Sequence, residues 1–331
     1  MRKIEEIKSE IDKIDIKITK LINEKQKLAG LISDHNFNKD MATGFTCKEF
    51  MNKEIKKVVY QGVEGAYSHI VTKRIFPDVS EENVTTFEDA VNEVIDGDAS
   101  YCIVPIENSS AGIVADTYDL LLKKSVVIVA EYDLHISHCL LGVRGAKIKD
   151  IKRVYSHPQA LMQCESYLKE HSDWSRISLL NTAVSAKKVR DERDVANAAI
   201  ASKPSADIYD LDILDSGINR NSQNTTRFVV LSNEKIFSKN SNKLSLILEL
   251  PHEKGMLYNI LEIFVLNGLN LVKIESRPIP EKTFQYRFFI DVEGNLSSYN
   301  VINVLSILKK ELNFLKILGN YCSYNDEVAN D

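Results

Sequence analysis

The sequence predicts an α/β protein in three parts: one long N-terminal helix, a two-lobed α/β domain around a cleft, and a C-terminal ferredoxin-like unit. Three observations predict it. Apolar residues recur at spacings of three and four through the first 33 positions. Short β-rich runs then alternate with helical ones from Val58 to about Ser232. Residues 244–321 read β-α-β-β-α-β.

In the first segment Ile4, Ile7, Ile11, Ile14, Ile18, Leu21, Leu28 and Ile32 form a heptad seam interrupted at Lys25, with no glycine or proline before Gly30. That pattern predicts a single helix over residues 1–37 whose apolar stripe pairs with a second copy of itself. Residues 38–57, with Gly44 and no clear period, read as a linker. From Val58 the runs Val58-Val59-Tyr60, Cys102-Ile103-Val104 and Arg153-Val154-Tyr155 read as strands, followed by helices from about Ala66, Gly112 and Pro158. Such alternation argues mostly parallel sheets with ligands at the carboxyl ends of the strands. Runs at 126–132 and 135–143 look antiparallel, as expected where the chain passes from one lobe to the other and later returns. The polar stretch 233–243 reads as a second linker. Beyond it the pattern gives a strand at 244–250, a helix at 255–267, strands at 269–277 and 284–292, a helix at 298–312, a strand at 315–321 and a tail at 323–331.

Composition narrows the function classes. The 331 residues carry a net charge of −5 with both signs mixed throughout, so no basic face invites nucleic acid or acidic membranes. The longest apolar runs, such as 126–130, fall well short of the roughly 20 residues of a membrane helix. The start, Met1-Arg2-Lys3-Ile4-Glu5-Glu6, lacks the apolar core of a signal peptide, and a cytoplasmic protein is expected. Five scattered cysteines never form a C-x-x-C pair, which favours reduced thiols over a zinc site. His135 and His138 would point to opposite sides of a strand, and no metal is expected. Gly62-Val63-Glu64-Gly65 lacks the third glycine and trailing acid of a dinucleotide fingerprint, so no cofactor is expected either.

The run Asn224-Thr225-Thr226-Arg227-Phe228 sets a hydroxyl donor beside a fixed positive charge, a pairing suited to pulling hydroxide off an anionic substrate. Four other strings accompany it: Gly62-Val63-Glu64-Gly65-Ala66-Tyr67-Ser68, Val104-Pro105-Ile106-Glu107-Asn108-Ser109, Tyr155-Ser156-His157-Pro158-Gln159-Ala160-Leu161-Met162-Gln163-Cys164 and Glu275-Ser276-Arg277-Pro278. Glu107 to Ser110 would lie between a strand end and a helix N-terminus, where free N–H groups suit a carboxylate and Ser109 or Ser110 could cap. A carboxylate at Glu107 beside an anionic substrate would be either the acid or the partner of an arginine.

Together these strings resemble the prephenate dehydratase family, in which a two-lobed, periplasmic-binding-protein-like catalytic domain precedes a phenylalanine-sensing ACT domain. The resemblance implies a lyase that converts prephenate to phenylpyruvate, carbon dioxide and water and is feedback-inhibited by phenylalanine. It implies catalytic roles for Thr226 at the leaving hydroxyl, Arg227 at a substrate carboxylate, Asn108 and Glu107. It implies substrate contacts from Ser68, Ser109, Ser156 and Gln163, with Phe228 as a packing wall. In the ACT resemblance, Gly255, Met256 and Leu257 of one subunit meet Glu275, Ser276, Arg277 and Pro278 of a neighbour. L-phenylalanine would then bind across an interface of a homodimer or homotetramer. Lys254 stands where such a loop usually carries proline, so weaker effector binding is expected.

The N-terminal segment resembles the first helix of a chorismate mutase domain, the partner of the dehydratase in bifunctional enzymes. Lys8 and Lys25 stand where that family has arginines, and Asn36 about where it has a lysine. Lysine does not replace the two-pronged guanidinium at a carboxylate clamp, and residues 38–57 cannot supply two more helices. A truncated, inactive mutase segment follows. The rival readings are an arogenate dehydratase, a working bifunctional mutase/dehydratase, and a non-catalytic amino-acid sensor built on the same two-lobed plan.

Overall fold

A computed structural model describes residues 2–32, 43–51, 54–219, 223–280 and 282–325. The chain divides into two compact units, residues 1–52 with 235–322 and residues 53–234 with 323–331. Asn36 and the other residues of 33–42 lie outside the described residues. The heptad pattern yields one helix, α1 (Arg2–Ile32), as its spacing requires. It is followed by a two-residue strand, β1 (Thr46–Cys47).

The larger unit opens on β2 (Val58–Gln61), α2 (Tyr67–Ile75) and β3 (Glu81–Val84). Helix α3 (Phe87–Asp96) starts from a reciprocal cap, in which Thr86 and Asp89 each satisfy the other's backbone N–H, and ends on Gly97 at φ 81°. Then come β4 (Tyr101–Asn108), β5 (Gly112–Ile113), α4 (Ala115–Lys123) and β6 (Val127–His135). Strand β7 (His138–Val143) opens the second lobe. There β8 (Arg153–Ser156) leads into α5 (Pro158–Gln163), with proline at its first turn, and α6 (Glu165–Glu170). The lobe continues through β9 (Ser175–Ser178), α7 (Thr182–Glu192), β10 (Asn197–Ser202), α8 (Lys203–Tyr209) and β11 (Leu211–Ser216). Strand β12 (Thr225–Ser232) returns the chain to the first lobe.

In the first lobe the strand order is β3-β2-β4-β12-β6, with β2 parallel to β3 and β4, and β12 antiparallel to both of its neighbours. In the second it is β9-β8-β10-β7-β11, with β7 antiparallel to β10 and β11. The two antiparallel strands expected at 126–143 are therefore the outgoing crossover. Each lobe has its own core. Leu141, Tyr155, Ala183, Ala199 and Ala206 pack on one face of the second sheet, and Leu140, Val154, Leu168, Trp174 and Ile200 on the other. Burial on both faces explains the unbroken apolar run in β10.

The stretch 233–243 is not a free linker. It forms β13 (Ile236–Phe237), which pairs in parallel with β1, and Phe45, Ile236 and Phe237 are buried. Its polar composition has a physical reason: Asn295 donates to the carbonyls of Ser238, Lys239 and Ser241, so polar backbone is satisfied inside the protein. The same correction applies to the C-terminal part of the 38–57 stretch, which supplies β1 and the buried Phe45. After β13 come β14 (Lys243–Glu249), α9 (Met256–Leu266), β15 (Leu271–Pro278), β16 (Tyr286–Glu293), α10 (Tyr299–Glu311) and β17 (Phe314–Asn325). The sheet order within this unit is β15-β16-β14-β17, all antiparallel, on the expected βαββαβ order.

Candidate active site

Pairing of β12 with β4 and β6 assembles the first group of polar residues. Thr226 lies opposite Asn108 on one side and Leu134 on the other, and Arg227 opposite Glu107 and Asp133. Between Arg227 and Phe228 the partner on β4 jumps from Glu107 to Pro105, which leaves Ile106 as the extra residue of a bulge. Bulges re-aim side chains, and Pro105, with no N–H to give a ladder, is tolerated beside one.

Asn108 organises the group. Its Oδ1 accepts from Ser110 N at 3.0 Å and Ala111 N at 2.9 Å, so its Nδ2 must face the other way. Nδ2 donates to Asn224 Oδ1 at 2.8 Å and Thr226 Oγ1 at 2.9 Å. Because Thr226 Oγ1 accepts this bond, its own hydrogen is free to be donated elsewhere. The expected helix N-terminus at 107–110 is not there. The chain turns at 109–111 into β5, which pairs back on β4, and α4 starts later with Val114 as a cap that makes no side-chain bond. The reason is local: the Asn108 side chain satisfies two amides that a helix start would have presented. Ser109 instead joins β4 to β12, donating its N–H to Thr225 O at 2.9 Å and accepting from Thr225 N at 3.0 Å.

Arg227 is enclosed by carboxylates. Nη1 lies 3.2 Å from Glu107 Oε2, and Nε lies 3.5 Å from Glu131 Oε2 and 3.6 Å from Asp133 Oδ1. The Glu131 side chain is 0% exposed, and its Oε1 accepts from Ser323 Oγ at 2.8 Å. Of the two roles open to Glu107, the geometry gives it the arginine partner. Phe228, next along, is buried at 3% exposure and packs in the core, as a wall residue would.

A second group joins the lobes. Tyr67 Oη lies 2.9 Å from His138 Nδ1, and His138 Nε2 lies 2.9 Å from Gln163 Oε1. A carbonyl oxygen only accepts, so Nε2 carries the hydrogen and Nδ1 accepts from the tyrosine. Burial holds the His138 pKa below its ordinary 6.5, and burial also raises that of Tyr67, which fits this neutral pair. Gln163 is thus linked through His138 to Tyr67 of the other lobe. Ser68 and Ser156 are not free donors. Ser68 Oγ donates to Gln61 O at 2.7 Å, and Ser156 Oγ, fully buried, donates to Ile200 O at 2.7 Å. Of the 62–68 string, Tyr67, Gly65, Ala66, Val63 and the carbonyl of Glu64, which accepts from Tyr209 Oη, all reach the second lobe. Gly65 has φ 83°, its carbonyl accepts from the Ser202 and Ser205 hydroxyls, and an added Cβ would meet Ser205 Oγ at 3.0 Å.

The depressed His138 pKa sets a pH dependence. The unfolded chain binds this proton near pH 6.5 and the folded chain only at lower pH, so stability is present above pH 6.5 and is lost as pH falls below it. Thermal melts from pH 7.5 to 5.5 should therefore fall more steeply for the native chain than for His138→Gln. Equal slopes would refute the assignment.

Residues 58–236, more than half of the chain, match the model of the family described as prephenate dehydratase. The chain belongs to the prephenate dehydratase family. An Arabidopsis thaliana protein named arogenate dehydratase/prephenate dehydratase 2 is 37% identical over 80% of this chain and 72% of its own length. A bifunctional chorismate mutase/prephenate dehydratase of Aquifex aeolicus is 31% identical over 97% of this chain and 98% of its own. A crystal structure of a prephenate dehydratase from Arthrobacter aurescens in complex with L-Phe superposes with a TM-score of 0.74 at 28% identity. It covers 80% of this chain and 89% of that one.

In this dehydratase, sequence reasoning missed four partners. Glu131 and Asp133 alternate along β6 like residues of a solvent face, and only their register against Arg227 gives them meaning. Tyr67 and His138 come together only through the meeting of the lobes. His157 caps α5, its Nδ1 accepting from Gln159 N at 3.2 Å. Burial raises the Cys164 thiol to about 12, which makes it a core residue and no nucleophile. Among the described residues no group of three His, Cys, Asp or Glu side chains could hold a metal ion, and no helix is long and apolar enough to cross a membrane. In the other unit, Gly255 (φ 80°) starts α9, with Met256 and Leu257 in its first turn. Glu275, Ser276, Arg277 and Pro278 end β15, a strand paired only with β16 among the described residues.

Proposed function

We propose that this dehydratase removes the ring hydroxyl and ring carboxylate of prephenate together, giving phenylpyruvate, carbon dioxide and water. The supporting observation is the bond from Asn108 Nδ2 to Thr226 Oγ1, which leaves the threonine hydrogen free for the leaving hydroxyl. The ring C–O bond breaks as the electrons of the C–CO₂⁻ bond move into the ring, and one proton completes the departing water. Aromatisation drives the step, so little covalent help is needed; what matters is holding the dianion and stabilising the leaving oxygen. A threonine hydroxyl is a weak acid, and Thr226 acts as an oriented donor. Arg227 faces the substrate carboxylate while Glu107, Glu131 and Asp133 fix its plane. Ser109 and Gln163 contribute polar contacts.

L-phenylalanine is the effector, bound by residues 255–257 of one chain and 275–278 of another in an ACT arrangement within a homodimer or homotetramer. The L-Phe complex of the Arthrobacter aurescens relative supports this reading. If phenylalanine weakens the binding of substrate, substrate must weaken phenylalanine binding by the same factor. Titration calorimetry should show binding weakened, but not abolished, by Lys254. No heat at millimolar phenylalanine would refute the site.

Arogenate is the second candidate substrate, because relatives named arogenate dehydratase are 36% identical to the chain. Comparison of kcat/KM on the two substrates decides between them. The Aquifex aeolicus relative, matched over nearly the whole chain, also raises the bifunctional reading. With α1 bearing lysines at positions 8 and 25, chorismate should remain unconsumed. An assay following phenylpyruvate from prephenate and loss of chorismate in parallel, each with and without phenylalanine, tests all three statements. Silence on both prephenate and arogenate would move the weight to a sensor.

A further inference from the structure

Tyr67, His138 and Gln163 form a chain of hydrogen bonds that has a direction. Tyr67 Oη donates to His138 Nδ1 at 2.9 Å, and His138 Nε2 donates to Gln163 Oε1 at 2.9 Å. Gln163 is half-buried, and its Nε2 makes no hydrogen bond among the described residues. A neutral imidazole accepts at one nitrogen only while the other carries the hydrogen, so the Tyr67 hydroxyl decides what His138 offers to Gln163. The tyrosine belongs to the first lobe and the amide to the second.

We propose that Tyr67 and His138 are positioning residues for the dehydratase reaction, holding the Gln163 amide with its carbonyl oxygen inward and its NH2 turned to the substrate. The inference rests on the reading of Gln163 as a substrate contact. An anionic substrate needs a donor at that contact, and an amide rotated by half a turn presents a carbonyl oxygen that repels it. The imidazole N–H removes the choice. Tyr67 is itself held against the second lobe: Tyr209 Oη donates to Glu64 O at 2.5 Å, the Ser202 and Ser205 hydroxyls donate to Gly65 O at 3.3 and 3.2 Å, and the Tyr67 and His138 rings meet edge-on with centroids 5.9 Å apart. So held, its hydroxyl finds His138 Nδ1 at 2.9 Å and Ser137 O only at 3.5 Å, and the hydrogen goes to the nearer acceptor. A hydrogen given to Ser137 O instead would move the imidazole hydrogen to Nδ1 and reverse the amide. Burial disfavours the charged form of His138, which would donate at both nitrogens and no longer read the tyrosine.

The test has two readouts. Nitrogen NMR of the full chain with isotope-labelled histidine reports the tautomer, the His138 signal being the one of seven that disappears in His138→Gln. The wild type should carry the hydrogen on Nε2, and Tyr67→Phe, which keeps the ring, should populate the other tautomer. Hydrogen on Nδ1 in the wild type would overturn the proposal. Steady-state kinetics, on whichever of prephenate and arogenate the chain turns over, reports the consequence. Tyr67→Phe should raise KM about tenfold with kcat changed little, since the contact is made in ground and transition states alike. In a Gln163→Ala chain the same tyrosine change should cost nothing more, because the amide it orients is gone. A purely structural tyrosine gives losses that multiply, and either that outcome or an unchanged KM in Tyr67→Phe would overturn the proposal. An unchanged KM in Gln163→Ala would withdraw Gln163 from the substrate, and the inference with it, whatever the tautomer.

Discussion

Replacing Thr226 with alanine should lower kcat on prephenate by about a hundredfold or more, with KM changed little, because the lost contact forms chiefly as the hydroxyl departs. Thr226→Ser keeps the hydroxyl and should retain most of the rate. Asn108→Ala should approach the loss of Thr226→Ala, since it removes the donor that turns the threonine hydrogen outward. The double variant should be hardly worse than either single one, the signature of residues acting as a unit. Wild-type turnover in Thr226→Ala would remove this residue from the reaction altogether.

The second large effect concerns stability. Arg227→Leu would leave Glu107, Asp133 and the fully buried Glu131 without their shared cation. Removing one member of a buried ionic group costs about 3–5 kcal/mol, because the remaining charge stays desolvated. Urea unfolding should show that loss, and Glu131→Gln in the same chain should recover part of it by removing a charge. Stability unchanged by Arg227→Leu would mean that the arginine is held for the substrate alone. Arg227→Lys should fall between, since an ammonium cannot address three carboxylates from one plane.

The alternation of strand and helix was legible from Val58 onward where strands carry continuous apolar runs, as at Val58-Val59-Tyr60 and Cys102-Ile103-Val104, whereas the polar β3 and β9 carry none and gave no signal. The βαββαβ order was legible for the same reason. Strand adjacency was not. Asn108 and Thr226 are 118 residues apart and bond only because β12 inserts beside β4, a fact that no local pattern carries. The choice of Ser68 over Tyr67 failed on helix geometry: neighbouring residues differ by about 100° around the axis, and a short helix start does not reveal which one faces the second lobe. Residues 233–243 looked like a linker because polar side chains and a polar interior have the same composition. The pairing of β13 with β1 and the carbonyl contacts of Asn295 distinguish them.

The position of β12 has a consequence for the order of events during synthesis. The second lobe, from β7 to β11, is one continuous stretch, whereas the sheet of the first lobe has a gap between β4 and β6 until residues 225–232 arrive. On the ribosome, the inserted lobe can be complete while the earlier-made one still waits for its keystone. That keystone carries Thr226 and Arg227. Thr226 therefore enters the molecule with the strand that closes the sheet, and a nascent chain stalled short of it holds β4 and β6 as open edges, exposed to mispairing.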